Sequence, residues 1–221
     1  PHPARRSEGH RPVSSTQPLH SSTPDDSEEL ARAEIYGLLA SLYYAPPSAE
    51  LHAQLRVAVT EAPAAGAFLE RSWSEVVAAS RRLGLDEIAD EYATLFLGIG
   101  RPEIFLYGSY HLAGKLNEKP LVTLRNDLRA LGLERPETVN ETEDHIAALC
   151  EVMRYLIAGA DAETSNLALQ QRFYNAHLRG WIDVLCDVLE AHPRADFYRS
   201  VAGFTRDFAA VEAQGLDLLD A

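Results

Sequence analysis

Three consecutive residues, Glu143, Asp144 and His145, carry the side chains best suited to chemistry in this sequence. Two carboxylates beside an imidazole could exchange protons or bind a metal ion, and Glu151 lies one heptad beyond Asp144 on much the same helical face. Adjacent residues of a helix point about 100° apart, so Asp144 and His145 are not expected to form a hydrogen-bonded dyad. A structural alternative stays open, because acidic residues are also favoured where a helix begins.

An apolar loop provides the second candidate site. Before it, Tyr92, Leu95 and Phe96 have the spacing of one helical face. Two glycines and a proline are expected to end that helix: Gly98, Gly100 and Pro102. The loop then carries almost no charge, and its large residues are Ile104, Phe105, Leu106, Tyr107 and Tyr110. Such a loop must either bury these side chains in the core or offer them to a partner.

Helical periodicity dominates the chain, and no segment alternates convincingly as a strand, which predicts an all-α fold of roughly nine to ten helices. Pro24–Ser27 resembles a helix start, and Ser48 is expected to cap a helix. A break is expected at Pro120. The expected helices cover residues 27–44, 48–60, 67–83, 86–97, 111–131, 142–159, 162–177, 181–190 and 195–214.

The sequence divides into a tail and two helical halves. Residues 1–24 hold five of the twelve prolines and three of the eight histidines, so we expect a disordered tail. The polar stretch 133–141 is interpreted as a hinge between an N-terminal half, 25–132, and a C-terminal half, 142–221. We expect a monomer, although a hinge between packed halves also permits a domain-swapped dimer.

Composition excludes several function classes. The net charge of −13 argues against nucleic-acid binding and suits basic partners, although acidity also simply aids solubility. Cys150 and Cys186 lie in apolar helical patterns, which indicates buried free thiols and a reducing compartment. No apolar run reaches the roughly 20 residues needed to span a bilayer, so stable membrane insertion is not expected. Arg5-Arg6 is followed by no apolar segment and does not form an export signal as written.

Common catalytic motifs are missing from the sequence. There is no GxGxxG after a strand, no phosphate-binding loop, no HExxH, no GxSxG and no repeated Glu-x-x-His pair. We therefore expect no catalytic residues, no metal and no resident cofactor. The alternative kept open is a helical enzyme or metal-binding protein that uses Asp144, His145 and Glu151.

The motifs occur in an order that resembles a known family. EYATLFLG-x-G is followed by P-x-x-x-x-YGSY, by the polar stretch and by ETEDHIAALCEVM; QQRFYNAHLRGWIDVLCDVLE and FYRSVAGFTRDF come later. This pattern, from about Leu30 to Leu218, resembles the TorD/DmsD/NarJ family of redox-enzyme maturation chaperones. The sequence departs from this pattern in two ways: Tyr107 stands where many members have Trp, and residues 103–106 lack prolines that many relatives carry.

The resemblance implies an all-α cytoplasmic chaperone without enzymatic activity. Such proteins bind the twin-arginine signal peptide, or a terminal segment, of the catalytic subunit of a molybdopterin oxidoreductase until its cofactor is inserted. Weak guanine-nucleotide binding has been proposed for some members. The stretch YGSYHLAGKLNEKPL suggests formate dehydrogenase as the client.

Candidate peptide-binding residues follow from the chemistry of such a peptide, which joins two guanidinium groups to an apolar segment. Carboxylates suit the guanidinium groups and an aromatic groove suits the apolar segment; core packing remains the alternative for the aromatic residues. The predicted set is Tyr36, Leu95, Phe96, Gly98, Gly100, Phe105, Tyr107, Gly108, Ser109, Tyr110, Glu143, Asp144, His145 and Glu151.

Overall fold

The computed structural model describes residues 24–60, 68–98, 101–159 and 166–220. Within these ranges all regular secondary structure is helical, apart from one isolated β-bridge, so the predicted all-α class is confirmed. Most of the tail and Gly100 lie outside the described residues. The α-helices of the described part are α1 (Pro24–Tyr44), α2 (Ala49–Val57), α3 (Glu70–Arg82), α4 (Leu85–Tyr92), α5 (Gly108–Ala113), α6 (Lys119–Ala130), α7 (Ile146–Ala158), α8 (Leu167–His177), α9 (Ile182–Ala191) and α10 (Phe197–Asp217).

The hydrophobic core is shared by helices from before and after residues 133–141. Helix α1 packs most extensively on α7, and α10 packs against α9 and α3. The described core includes the fully buried side chains of Leu39, Leu42, Met153, Leu156, Trp181 and Phe197. Burying each large apolar side chain contributes roughly 1.5–3 kcal/mol, so this packing holds α1 and α7 together. The division of the sequence into two halves and the domain-swapped dimer stay predictions.

Several local expectations are met. The Ser48 hydroxyl caps α2 by accepting a hydrogen bond from Leu51 N at 3.1 Å, as predicted. Cys150 and Cys186 are buried and free. Burial raises the pKa of both thiols, and the pKa of Cys186 reaches about 12. The protonated thiols therefore behave as small apolar side chains.

Some helix boundaries differ from the expected ones. The α-helix expected to reach Leu97 ends at Tyr92, and Ala93–Leu97 forms a π-helical turn. The break expected at Pro120 lies earlier, where Gly114 adopts a left-handed φ of 74° and ends α5. Pro120 instead occupies the first turn of α6, where a missing N–H costs no helical hydrogen bond.

A buried ionic network links α1, α8 and α10. Glu212, only 3 % exposed, accepts hydrogen bonds from Arg32 Nε at 2.6 Å, Arg32 Nη2 at 2.9 Å and the Tyr36 hydroxyl at 3.0 Å. Arg32 also donates to Gln170 Oε1 at 3.1 Å. Burial and the neighbouring Glu212 charge raise the pKa of Tyr36 well above its ordinary value, so the tyrosine acts here as a donor.

We predict that Glu212→Gln lowers the free energy of unfolding by about 3 kcal/mol, because Arg32 then lacks its buried ionic partner. Urea unfolding at pH 7 measures the loss. Asp217→Asn is the matched control, since the Arg179–Asp217 pair has a 2.6 Å contact on the exposed surface and should leave the urea midpoint nearly unchanged. Equal shifts for the two variants would contradict a special role for the buried network.

Candidate functional site

The two predicted site segments meet through a short antiparallel bridge between Tyr107 and His145. Gly108 N donates to the Asp144 carbonyl at 2.9 Å, and Ile146 N donates to the Leu106 carbonyl at 2.8 Å. The bridge holds the end of the apolar loop against the start of α7. Residues that are almost forty positions apart in the sequence therefore form one structural unit.

Asp144 is a buried structural residue in this unit. Its carboxylate accepts hydrogen bonds from Ser109 N at 2.8 Å and from the Thr142 hydroxyl at 2.6 Å, and the residue is 3 % exposed. Ser109 lies in the first turn of α5, so Asp144 binds the start of α5 and not the start of α7, which follows it in the sequence. A carboxylate placed in this way is occupied and is not accessible to a peptide arginine.

His145, rather than either acidic residue, caps α7. Its Nδ1 accepts a hydrogen bond from Ala147 N at 3.2 Å, and α7 begins at Ile146 instead of the expected Thr142. The imidazole packs edge-on against the Tyr107 ring with 5.0 Å between centroids. Burial lowers the pKa of His145 from 6.5 to about 4, although the charges of Glu141 and Asp144 oppose the shift. The imidazole is therefore neutral near pH 7.

Glu143 faces two arginines. Arg125 donates to Glu143 Oε2 from Nε at 2.9 Å and approaches the same oxygen with Nη2 at 2.8 Å. Arg135 Nε lies 3.6 Å from Oε1. Burial alone would raise the pKa of Glu143, but the hydrogen bond from Arg125 and the two guanidinium charges lower it below its ordinary value. Glu143 is thus an ionised carboxylate that already attracts guanidinium groups.

A pocket of about 470 Å³ opens beside this cluster, between the end of α1, the segment 133–143 and one face of α7. Its apolar lining includes Ala40, Tyr44, Leu133, Ala148, Val152 and Tyr155. Its acidic residues are Glu134, Glu141, Glu143 and Glu151. Tyr44 and Tyr155 are 55 % and 43 % exposed, so their rings are available for contact. The segment 133–141, interpreted from the sequence as a hinge, supplies much of one wall.

The structure brings only some of the predicted site residues to this pocket. Glu143, His145 and Glu151 line it, and Glu151 makes a half-exposed ion pair with Arg154 at 3.2 Å. Tyr107 reaches it indirectly, since its hydroxyl donates to the carboxylate of Glu141. Asp144 instead lines a smaller cavity of about 290 Å³ with Gly108, Ser109 and His177.

Three other predicted residues lie in the core. Tyr36 is 2 % exposed and its hydroxyl donates a hydrogen bond to Glu212, and Leu95 is fully buried. Phe96 is 8 % exposed and packs edge-on against Tyr92 and Tyr198, with centroid distances of 5.1 and 5.0 Å. In this structure these side chains offer no groove to a partner, and a role in peptide contact stays a prediction.

Two predicted glycines have conformational reasons for being glycine. Gly98 has a φ of +56°, and a Cβ there would lie 2.1 Å from the Arg101 carbonyl oxygen. Gly108 allows close approach to Trp181, whose indole nitrogen would lie 3.1 Å from an added Cβ. Both positions shape the loop rather than supply chemistry.

The remaining aromatic residues form a half-buried patch that is separate from the pocket lining. Phe105 stacks on Tyr110 with 4.2 Å between ring centroids. The guanidinium carbon of Arg101 lies 5.3 Å from the centroid of the Phe105 ring. This patch already accepts one arginine through a cation–π contact.

The alternative metal site does not assemble in the part of the chain that the structure describes. Asp144 lines the smaller cavity, whereas His145 and Glu151 line the pocket. Among the described residues, no group of three or more His, Cys, Asp or Glu side chains could hold a metal ion. None of the described helices combines the length and apolar character required to cross a membrane.

Four residues that line the pocket were not among those predicted from the sequence: Glu134, Glu141, Tyr44 and Tyr155. Glu141 carried one usable signal, because it belongs to the same acidic run as Glu143. Nothing in the sequence shows that Glu134 and Tyr44, ninety positions apart, face the same cavity.

Replacing His145 by Asn should make the free energy of unfolding decrease less as the pH falls from 7 to 4. The wild-type imidazole titrates near 6.5 when unfolded and near 4 when folded, so its contribution is complete above pH 6.5 and is lost as pH falls toward 4. That contribution amounts to about 3 kcal/mol, while Asn keeps a cap acceptor without titrating. Urea unfolding at several pH values between 7 and 4 measures the difference. Parallel pH profiles for the wild type and the variant would contradict this assignment.

Comparisons with known proteins agree with the fold and the motifs. A family model described as nitrate reductase delta subunit matches residues 59–187, more than half of the chain. The chain is 29% identical over 204 residues to a chaperone protein TorD of Vibrio cholerae serotype O1, covering 85% of this chain and 93% of the relative. It is 23% identical over 224 residues to a chaperone protein TorD of Colwellia psychrerythraea, covering 86% and 93%. The TorD-like resemblance is thereby confirmed, and the chain belongs to the nitrate reductase delta subunit family.

Proposed function

We propose that this protein is a cytoplasmic chaperone that binds the twin-arginine signal peptide of a molybdopterin oxidoreductase catalytic subunit until the cofactor has been inserted. The observation that carries the proposal is the pocket beside α7, where an apolar surface and four glutamates lie together. The relatives named as chaperones and the family membership support the same class of function, which is not enzymatic.

The pocket suits both chemical features of such a peptide. Glu143 and Glu151 already pair with guanidinium groups of this chain, which demonstrates that arginine can approach them. Tyr44, Val152 and Tyr155 offer accessible apolar surface beside these carboxylates. Guanidinium forks pair well with carboxylates, and a site of a few hundred Å³ can bury several side chains of a ligand.

The whole-chain charge favours the encounter with a basic peptide. The chain has a formal net charge of −13, and an acidic surface raises the rate at which cationic ligands associate. The half-buried Phe105–Tyr110 patch offers a further aromatic surface to a longer client segment. A terminal segment of the catalytic subunit is an alternative ligand, and formate dehydrogenase stays a hypothesis for the client. Guanine-nucleotide binding is not part of the proposal.

Calorimetric titration with a synthetic twin-arginine signal peptide tests the proposal. We expect saturable binding to the wild type and markedly weaker binding of a control peptide whose two arginines are replaced by alanine. Glu151→Gln should weaken binding of the arginine peptide about threefold to fivefold, because an exposed charge pair contributes up to about 1 kcal/mol.

Glu75→Gln is the matched control variant. Glu75 is also about half-exposed and also pairs with an arginine of its own helix, Arg71, at 3.2 Å, but it does not line the pocket. Its replacement should leave the affinity unchanged. Binding that ignores the peptide arginines, or equal losses for both variants, would contradict recognition at this pocket.

A further inference from the structure

Glu143 is held unequally by its two arginines. Both close contacts from Arg125, at 2.9 and 2.8 Å, reach the same oxygen, Oε2. The other oxygen, Oε1, faces Arg135 Nε at 3.6 Å, which exceeds normal hydrogen-bond distance. Oε2 is therefore bound to α6 through Arg125, whereas the neighbour of Oε1, the Arg135 guanidinium, is not within hydrogen-bond distance.

Arg135 differs from Arg125 in its position. Arg125 lies on α6 and is not part of the pocket lining, whereas Arg135 lines the pocket together with Glu143. The Arg135 guanidinium also donates from Nη1 to the carbonyl of Val139, within the same irregular segment of the wall. Arg135 is 35 % exposed, so it can leave Glu143 without unpacking a helix.

We infer that Arg135 is an intramolecular competitor for the peptide: it occupies the approach to Glu143 Oε1 that an arginine of the ligand would take. This inference rests on the proposed function and adds a residue that sets the affinity of the same site. A ligand guanidinium can replace a 3.6 Å contact by direct charge-assisted hydrogen bonds. Displacing Arg135 lowers the apparent affinity by the cost of breaking its contacts, and only a ligand that engages Glu143 bears this cost.

The first test compares Arg135→Gln with the wild type in calorimetric titrations of the twin-arginine peptide and its dialanine counterpart. We expect the variant to bind the arginine peptide about threefold to fivefold more tightly, which corresponds to an exposed ion pair. Binding of the dialanine peptide should not change. Thermal unfolding of the variant should match the wild type, because Arg135 lies on an exposed irregular segment.

A double-mutant cycle separates competition from a general charge effect. In a Glu143→Gln background, Arg135→Gln should no longer tighten binding, since the contested carboxylate is gone. Arg125→Gln removes the same charge from the α6 side of Glu143 and should not tighten binding of the arginine peptide. A gain in affinity that persists without Glu143, or an equal gain from Arg125→Gln, would overturn the inference.

Arginine-dependent binding by the wild type with no gain in affinity in Arg135→Gln would also overturn it, but would leave the proposed function standing. Absence of arginine-dependent binding in both proteins would overturn the proposed function and the inference with it.

Discussion

The arrangement of the site depends on the short antiparallel bridge between residues 106–108 and 144–146. Its two backbone hydrogen bonds, at 2.9 and 2.8 Å, fix the path by which the acidic run, residues 141–144, enters α7. Asp144 is thereby turned toward Ser109 and buried, while Glu143 and His145 line the pocket. Buried polar groups require partners, and the bridge supplies them for the backbone N–H groups of Gly108 and Ile146, which lie at helix starts and have no partner within their own helix. Without it, neighbouring residues with similar chemistry could not take such different roles.

Periodicity was sufficient to predict the all-α class and most helices, because apolar stripes such as that of α7 reflect burial directly. The capping hydroxyl of Ser48 was also predictable, since its role depends on three neighbouring residues. Helix α7 starts at Ile146 and not at the predicted Thr142, because Asp144 accepts a hydrogen bond from Ser109 N. No rule based on neighbouring residues reveals that contact. The π-helical turn at Ala93–Leu97 likewise depends on the loop: the Leu95 carbonyl accepts hydrogen bonds from Glu103 N and Ile104 N.

The candidate site was only partly accessible to sequence reasoning. Acidic residues near a helix start were recognised, but their separation into a buried Asp144 and pocket-lining Glu143 and His145 requires three-dimensional structure. The polar stretch 133–141 has the composition of a linker, yet Leu133 and Val139 help to form a pocket wall. Conversely, Leu95 and Phe96 were predicted to line a binding groove but are buried, because the core uses the same apolar side chains that such a groove would use.

Photo-crosslinking would test most directly whether the pocket beside α7 receives the peptide. A twin-arginine peptide with a benzophenone side chain next to its arginines would be irradiated with the wild-type protein, and the products mapped by mass spectrometry. We expect crosslinks to segment 133–143, to the α7 face at 148–155 and to Tyr44, and we expect them to be lost when both peptide arginines are alanine. Crosslinks concentrated on Phe105 and Tyr110, or on residues of α3 and α10, would contradict this expectation.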